Sequence, residues 1–339
     1  MHGSLPLRRQ GSGDDAIIHG RTTACGLFLV RQSSPRVSLP QYPFQGSRFE
    51  VRPGIQMHYL DEGPRDAPPI VMVHGNPSWS YYYRRLVSAL SKTHRCIVPD
   101  HVGMGLSDKP EDADYRYTLE SRIDDLEALL KHLGVDRDVT LVVHDWGGMI
   151  GFGWAMRHAD AVRRLVILNT AAFPLPEGKP LPWQLKLVRN TKLGALLVRG
   201  FNAFAWGAAT QGVMRKMPSD EKRALLSPYN SWHNRISTLR FVQDIPLKAG
   251  DPGYDIVADS AKRLHEFADR PAIACWGLKD FVFDADFLDG FRQRLPQLDV
   301  HAWEDAGHYV LEDAHERIIP LVTQFLTDHP LSSESTPAA

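Results

Sequence analysis

The feature that most constrains this chain is an alternation. Between residues 47 and 173, short and nearly all-apolar runs take turns with stretches of helical periodicity. Two strand-like segments, Phe49 to Arg52 and Ile55 to Leu60, flank the turn Pro53-Gly54, which is a hairpin signal. Ile70 to Val73, Cys96 to Pro99, Val139 to Val143 and Leu165 to Leu168 read as strands. Between them, Tyr81 to Leu90, Leu119 to Leu133 and the segment from Gly147 to His158 read as helices. Strands with no polar face must be covered on both sides, and the helical connections supply the cover, so a mostly parallel sheet in an α/β protein is predicted.

From Phe173 to about Ala261 the alternation stops, and Pro-bounded helical stretches rich in aromatics, among them Trp183, Phe204 and Trp232, take its place. Strands resume at Ala272 to Trp276 and Val300 to Trp303, and a last helix is predicted over Glu316 to Leu326. One sheet interrupted by a lid fits this order better than two domains in tandem. Residues 46–173 and 262–330 are read as the core and 174–261 as a helical cap, with a poorly ordered extension over 1–45 and a tail over 331–339.

Composition narrows the function classes. A formal net charge of -1, with basic residues scattered along the chain, excludes a nucleic-acid footprint. No run reaches the roughly 18 apolar residues of a spanning helix, so no membrane partner is expected. The apolar patch from Cys25 to Val30 is short for a signal peptide. Cysteines stand at 25, 96 and 275, an odd number without a CxxC pair, which points to a reduced compartment, with the cytoplasm as the default. Cys96 and Cys275 lie in apolar runs and read as small core hydrophobes.

Chemistry concentrates where strands end. Val143-His144-Asp145-Trp146-Gly147-Gly148 joins a buried strand to a helix, a layout that resembles the nucleophile elbow of the α/β-hydrolases. Aspartate stands at the reactive position, and Val143 stands where a small residue is usual. A carboxylate there attacks an sp3 carbon to give an alkyl ester, which a base-activated water then hydrolyses; the plainer alternative is an aspartate capping the next helix. Trp276-Gly277-Leu278-Lys279-Asp280 and Ala306-Gly307-His308 place an acid and a histidine past the two late strands, in the chain order this fold requires. His308 is the expected base, and Asp280 fixes its tautomer and stabilises its charged form. After the third strand, His74-Gly75-Asn76-Pro77-Ser78-Trp79 occupies the place of the oxyanion loop. Asn76 and the Trp146 indole are candidate donors to a developing anion, against an Asx-turn for Asn76 and core packing for Trp146.

Together these motifs resemble the haloalkane dehalogenases over about residues 42–328, most closely their third subfamily. The resemblance implies an α/β-hydrolase fold with a mostly parallel eight-stranded sheet, helices on both faces and an inserted helical cap. It implies nucleophile Asp145, base His308, acid Asp280 and halide donors Asn76 and Trp146. The lid segments Ser227-Pro228-Tyr229, Asn234-Arg235 and Arg240 to Pro246 also resemble a sister group, the β-lactone decarboxylases of olefin biosynthesis, which share the catalytic set. The expected substrate is small and apolar, a haloalkane first and an alkyl β-lactone second, and the chemistry calls for no metal or organic cofactor. An epoxide hydrolase would need lid tyrosines, for which Tyr229 and Tyr254 are the candidates. A serine esterase is disfavoured by Asp145 itself, and a non-catalytic scaffold by the intact set.

Overall fold

The computed structural model describes residues 39–331. β1 (Ser47–Arg52) and β2 (Ile55–Glu62) form the predicted hairpin, followed by β3 (Pro69–Val73), α1 (Arg84–Leu90) and β4 (Arg95–Pro99). Then come α2 (Leu119–His132), β5 (Val139–Asp145), α3 (Trp146–Arg157) and β6 (Val162–Thr170). The eight-stranded sheet has the order β1-β2-β4-β3-β5-β6-β7-β8, with β7 (Ala272–Gly277) and β8 (Asp299–Trp303) at its far edge. Only β1 with β2 and β2 with β4 pair antiparallel; the rest of the sheet is parallel. Every residue of β5 is buried, so both faces of the sheet centre are covered, as its unbroken apolar run requires. α1 packs on α11 (Val310–Asp328) and α2 on α3.

Between β6 and β7 the chain forms α4 (Trp183–Asn190), α5 (Lys192–Phe201), α6 (Ala203–Gln211), α7 (Ser219–Leu226), α8 (Ile236–Gln243) and α9 (Tyr254–Arg263). Leu181, Leu185, Val188, Val198, Leu239 and Val242 give this insertion an apolar cluster of its own. α10 (Ala285–Arg294) follows β7. Cys96 and Cys275 are buried free thiols in β4 and β7, and burial pushes the Cys96 thiol up to about 12. Cys25 and the extension as far as residue 38 lie outside the described residues, as do residues 332–339 of the tail. From Leu39 the chain is packed: Tyr42 is buried, and its hydroxyl lies 2.7 Å from Ser80 Oγ.

Two helices depart from their predicted limits. Ser80–Tyr83 is a tight 3-10 turn ahead of α1, because this segment is buried on all sides instead of being amphipathic, with the Tyr83 hydroxyl donating to the Val73 carbonyl. α11 reaches back to Val310 but is kinked at Ala314, whose φ of -135° is not helical; the predicted helix over Glu316 to Leu326 lies in the segment after the kink, and a short turn carrying Glu312 and Asp313 precedes it. Both carboxylates are deeply buried and partnered. Glu312 accepts from Arg84 at 2.5 Å and from Arg85 at 2.6 Å, and the same two arginines donate to Glu221 of α7 at 2.6 Å. Asp313 accepts the backbone N–H groups of Met214, Arg215 and Gly307.

This box joins the cap to α1 and α11 through charges that are buried except for part of Arg85. Replacing Arg84 by Met leaves two buried carboxylates with Arg85 alone. The expected cost is about 3 kcal/mol of unfolding free energy, the lower end for a broken buried pair, read from denaturant midpoints. Arg84 and Arg85 hold Glu312 below its usual range despite its burial. Its contribution is therefore present above the ordinary glutamate value and lost as pH falls through the depressed one, so the difference between the proteins should narrow below about pH 4.

Candidate active site

β5 ends on Asp145, whose backbone sits at φ 54° and ψ -129°, a conformation an L residue adopts only under constraint. Neighbouring backbones close in to enforce it. A Cβ added at Gly75 would lie 1.9 Å from Asp145 Oδ1, and one at Gly147 would lie 1.9 Å from the Val73 carbonyl oxygen. Val143, in the place of the usual small residue, is accommodated because α3 offers Gly151 opposite it, where a Cβ would come within 2.8 Å of Val143 Cγ1. Asp145 does not cap α3 through its side chain. Its Oδ1 instead accepts the backbone N–H of Asn76 at 2.6 Å, and the Trp146 backbone N–H also donates to the carboxylate. The Thr170 hydroxyl, at the end of β6, donates to the Asp145 carbonyl.

The loops after β7 and β8 bring the other two residues to this point. His308 Nε2 lies 3.5 Å from Asp145 Oδ2, and its Nδ1 lies 2.8 Å from Asp280 Oδ2. All three side chains are buried. Asp280 is fixed in turn: Oδ1 accepts the Val282 N–H at 2.8 Å, and Oδ2 accepts from Asn169 Nδ2 at 3.1 Å. Asn169 also accepts the Gly277 N–H at 2.8 Å. Burial works against charge on His308, but Asp280 first and Asp145 second outweigh it and raise its pKa to about 9. Burial likewise raises Asp145, against the opposing pull of His308. The neighbouring His74, His101 and His144 are driven the other way, chiefly by burial, and stay neutral. Of these four imidazoles, His308 alone is shifted toward its charged form.

Asn76 and Trp146 both line the cavity above Asp145, a space of about 310 Å³. One amide hydrogen of Asn76 is taken by the Thr238 carbonyl of α8 at 3.1 Å, and its Oδ1 has no partner among the described residues, so the side chain does not form an Asx-turn. The Trp146 indole is pinned edge-on by Phe241 at 5.2 Å, with the Arg122 guanidinium 5.6 Å from its ring; among the described residues its N–H has no hydrogen-bond partner. The cavity walls are mostly apolar, with Leu185, Leu197, Phe204 and Val257 among them. Tyr229 and Tyr254 do not line it, and the Tyr229 hydroxyl donates to the Ser78 carbonyl at 3.1 Å. Sequence reasoning missed Asn169, which orients Asp280, although a lone amide closing the apolar run Leu165-Val166-Ile167-Leu168 was a readable signal. It also missed Arg122, which has no such signal.

Residues 68–315 match the family described as alpha/beta hydrolase fold. The chain belongs to that family. A relative named cis-3-alkyl-4-alkyloxetan-2-one decarboxylase, from Xanthomonas campestris pv. campestris, is 57% identical to this hydrolase over 87% of the chain and 100% of the relative. A haloalkane dehalogenase from Mycolicibacterium paratuberculosis is 30% identical over 81% of this hydrolase and 90% of the relative. The crystal structure of a haloalkane dehalogenase DbeA-M1 loop variant from Bradyrhizobium elkanii superposes with a TM-score of 0.72 at 25% identity, covering 83% of this hydrolase and 95% of that chain.

Because a methyl at Gly75 would overlap the Asp145 carboxylate, Gly75→Ala should leave a folded protein whose Asp145 is turned aside. A displacement of this size typically costs about 100-fold in rate. Initial rates alongside thermal midpoints test this, and full activity in the variant would show that Asp145 need not sit where it does.

Proposed function

We propose that this hydrolase is a β-lactone decarboxylase that converts a cis-3,4-dialkyloxetan-2-one into a cis-alkene and carbon dioxide. The observation that carries the reading is a contrast in identity, 57% across the whole of a decarboxylase relative against 30% to a dehalogenase, on a site whose residues serve both reactions. Reading the sequence alone put halide displacement first, and this contrast reverses the order.

The geometry suits the reaction in two steps. Asp145 attacks the sp3 ring carbon C4; the C4–O bond breaks with its electron pair going to the ring oxygen, which becomes a carboxylate. The C3–C2 bond then breaks, its pair forms the C3=C4 double bond, and the Asp145 carboxylate departs from C4 as carbon dioxide leaves. No water, proton or oxidant is consumed. Inversion at C4 followed by anti elimination needs no rotation about C3–C4 and turns a cis ring into a cis alkene. The Trp146 indole N–H and the second amide hydrogen of Asn76 are placed to hold the displaced carboxylate, where a dehalogenase would hold halide. The protonated His308, 3.5 Å from Asp145, stabilises the aspartate as a leaving group.

Halide displacement is the second reading, favoured by the dehalogenase relatives. It shares the first step and then needs His308 as a base. Alkylation of Asp145 removes one of the charges that keep the imidazole protonated, so a base emerges only in the ester. The cheap test is a dialkyl β-lactone in one vessel and bromoalkanes in another, with alkene and bromide measured; bromide without alkene would overturn the proposal. In H₂¹⁸O, lactone turnover should leave Asp145 unlabelled, because no ester is hydrolysed, whereas turnover of a bromoalkane should label it.

The pH dependence follows from His308. Decarboxylation uses the imidazolium, so kcat/KM should fall above about pH 9, the raised value of His308. Asp280→Asn, which removes the larger charge holding that proton, should move the limb to lower pH, and a limb unmoved in this variant would detach it from His308. The same shift bears on stability: since the folded value lies above the unfolded one, the ion pairs stabilise fully below about pH 6.5 and lose their contribution as pH rises through about 9.

A further inference from the structure

The outer surface of the cap carries a set of exposed apolar side chains that, apart from Trp183 at the cavity mouth, do not line the cavity. Trp183 is 70% exposed, Phe201 72%, Trp206 57%, Leu193 57% and Trp232 50%. On α5 the exposed residues Lys192, Leu193, Leu196 and Gly200 recur at helical spacing, which makes one outward face. That face continues into Trp232: a Cβ on Gly200 would lie 3.4 Å from Leu196 Cδ1 and 3.9 Å from Trp232 Cζ3. Apolar side chains scattered singly on a surface are ordinary, but several large exposed ones within one insertion, with Leu196, Gly200 and Trp232 adjoining, are not.

The same stretch is strongly basic. From Gly178 to Ser219 the chain has seven Lys or Arg and no Asp or Glu, within a protein whose formal net charge is -1. Lys179, Arg189 and Arg215 are matched by Asp284, Asp251 and Glu316. Lys186, Lys192 and Lys216 are exposed and, among the described residues, form no ion pair. Arg199 lies over the Trp232 ring at 4.8 Å and Lys222 over Trp206 at 5.4 Å. Indoles interleaved with unpaired cations suit the headgroup region of an anionic bilayer, where rings sit at the interface and ammonium groups meet phosphate. The cavity opens on this side, since Trp183, Ala203, Gln211 and Phe281 both line it and are exposed.

We propose that this face docks on an anionic lipid bilayer, so that the apolar substrate enters the cavity from the membrane and the alkene returns to it. The substrate part of this inference rests on the decarboxylase reading, while the docking is measurable without it. Among the described residues no helix is long and apolar enough to cross a membrane, so the contact is peripheral. The expectation of no membrane partner rested on the lack of a spanning run and does not bear on such a contact. A protein seated on this patch would cover the mouth, whereas a bilayer supplies the apolar molecules the cavity accepts.

The test is cosedimentation of the purified full chain with vesicles of phosphatidylcholine alone and of phosphatidylcholine mixed with phosphatidylglycerol. The mixed vesicles should bring the protein down, with a blue shift of tryptophan emission and a loss of binding at high salt. Phe201→Ser/Trp206→Ser and Lys186→Glu/Lys192→Glu should each lower the partition about tenfold or more. Thermal midpoint and alkene formation from detergent-dispersed lactone should not change in either variant. Protein that stays in the supernatant with anionic vesicles overturns the proposal. So do variants that sediment like the wild type, or variants that instead dissolve a self-association seen without lipid. Failure of the decarboxylase reading would look different: vesicle binding intact and no alkene from any protein.

Discussion

The backbone at residue 145 holds a conformation that an L residue would leave if its surroundings allowed, and the site is built on that constraint. Strain of this kind costs about 1–3 kcal/mol and persists because the Val73 to Asn76 segment presses on the turn from one side and Thr170 ties down its carbonyl from the other. The return is position. With its side chain lifted off the end of β5, Asp145 meets the N–H groups of Asn76 and Trp146 and faces His308, none of which a regular strand residue could reach together.

Charge does the rest. His308 lies between two carboxylates in a buried setting, and Asp280 first and Asp145 second hold its proton. In the proposed mechanism, whether an Asp145 ester is hydrolysed or undergoes elimination depends on what the substrate leaves behind. A displaced halide departs and leaves an ester that only water can clear. A displaced carboxylate stays attached one carbon away and can expel the aspartate itself. The same three side chains thus support two outcomes, which explains why motif residues alone did not separate them.

Much of the frame was legible because buried strands write themselves as apolar runs, and Asp145, Asp280 and His308 stood at predicted strand ends in the required order. The structure brings all three together, with Asp145 and His308 lining one cavity beside Asn76 and Trp146 and Asp280 behind His308. What stayed hidden was polar and buried. Glu312 and Asp313 precede the helix predicted from Glu316 and carried no reading of their own, because Arg84, Arg85 and the backbone N–H groups that partner them come from far along the chain. Asn169 differs: its place at the end of an apolar run was readable, but its task depends on Asp280, a residue 111 positions away. The basic, aromatic surface of the cap was diluted by a whole-chain charge near zero and emerged only when the run was counted by itself.

The bond from Asn76 to the Thr238 carbonyl joins this cavity-lining amide to the insertion through a main-chain atom. Any side chain at 238 can present that oxygen, so the insertion is free to change its sequence as long as α8 keeps its path. A hybrid that exchanges the wall-forming helices α4 to α6 while retaining α8 should therefore inherit a new chamber with the Asn76 amide held as before, whereas one that exchanges the entire insertion must also reproduce a backbone trajectory that no residue identity encodes.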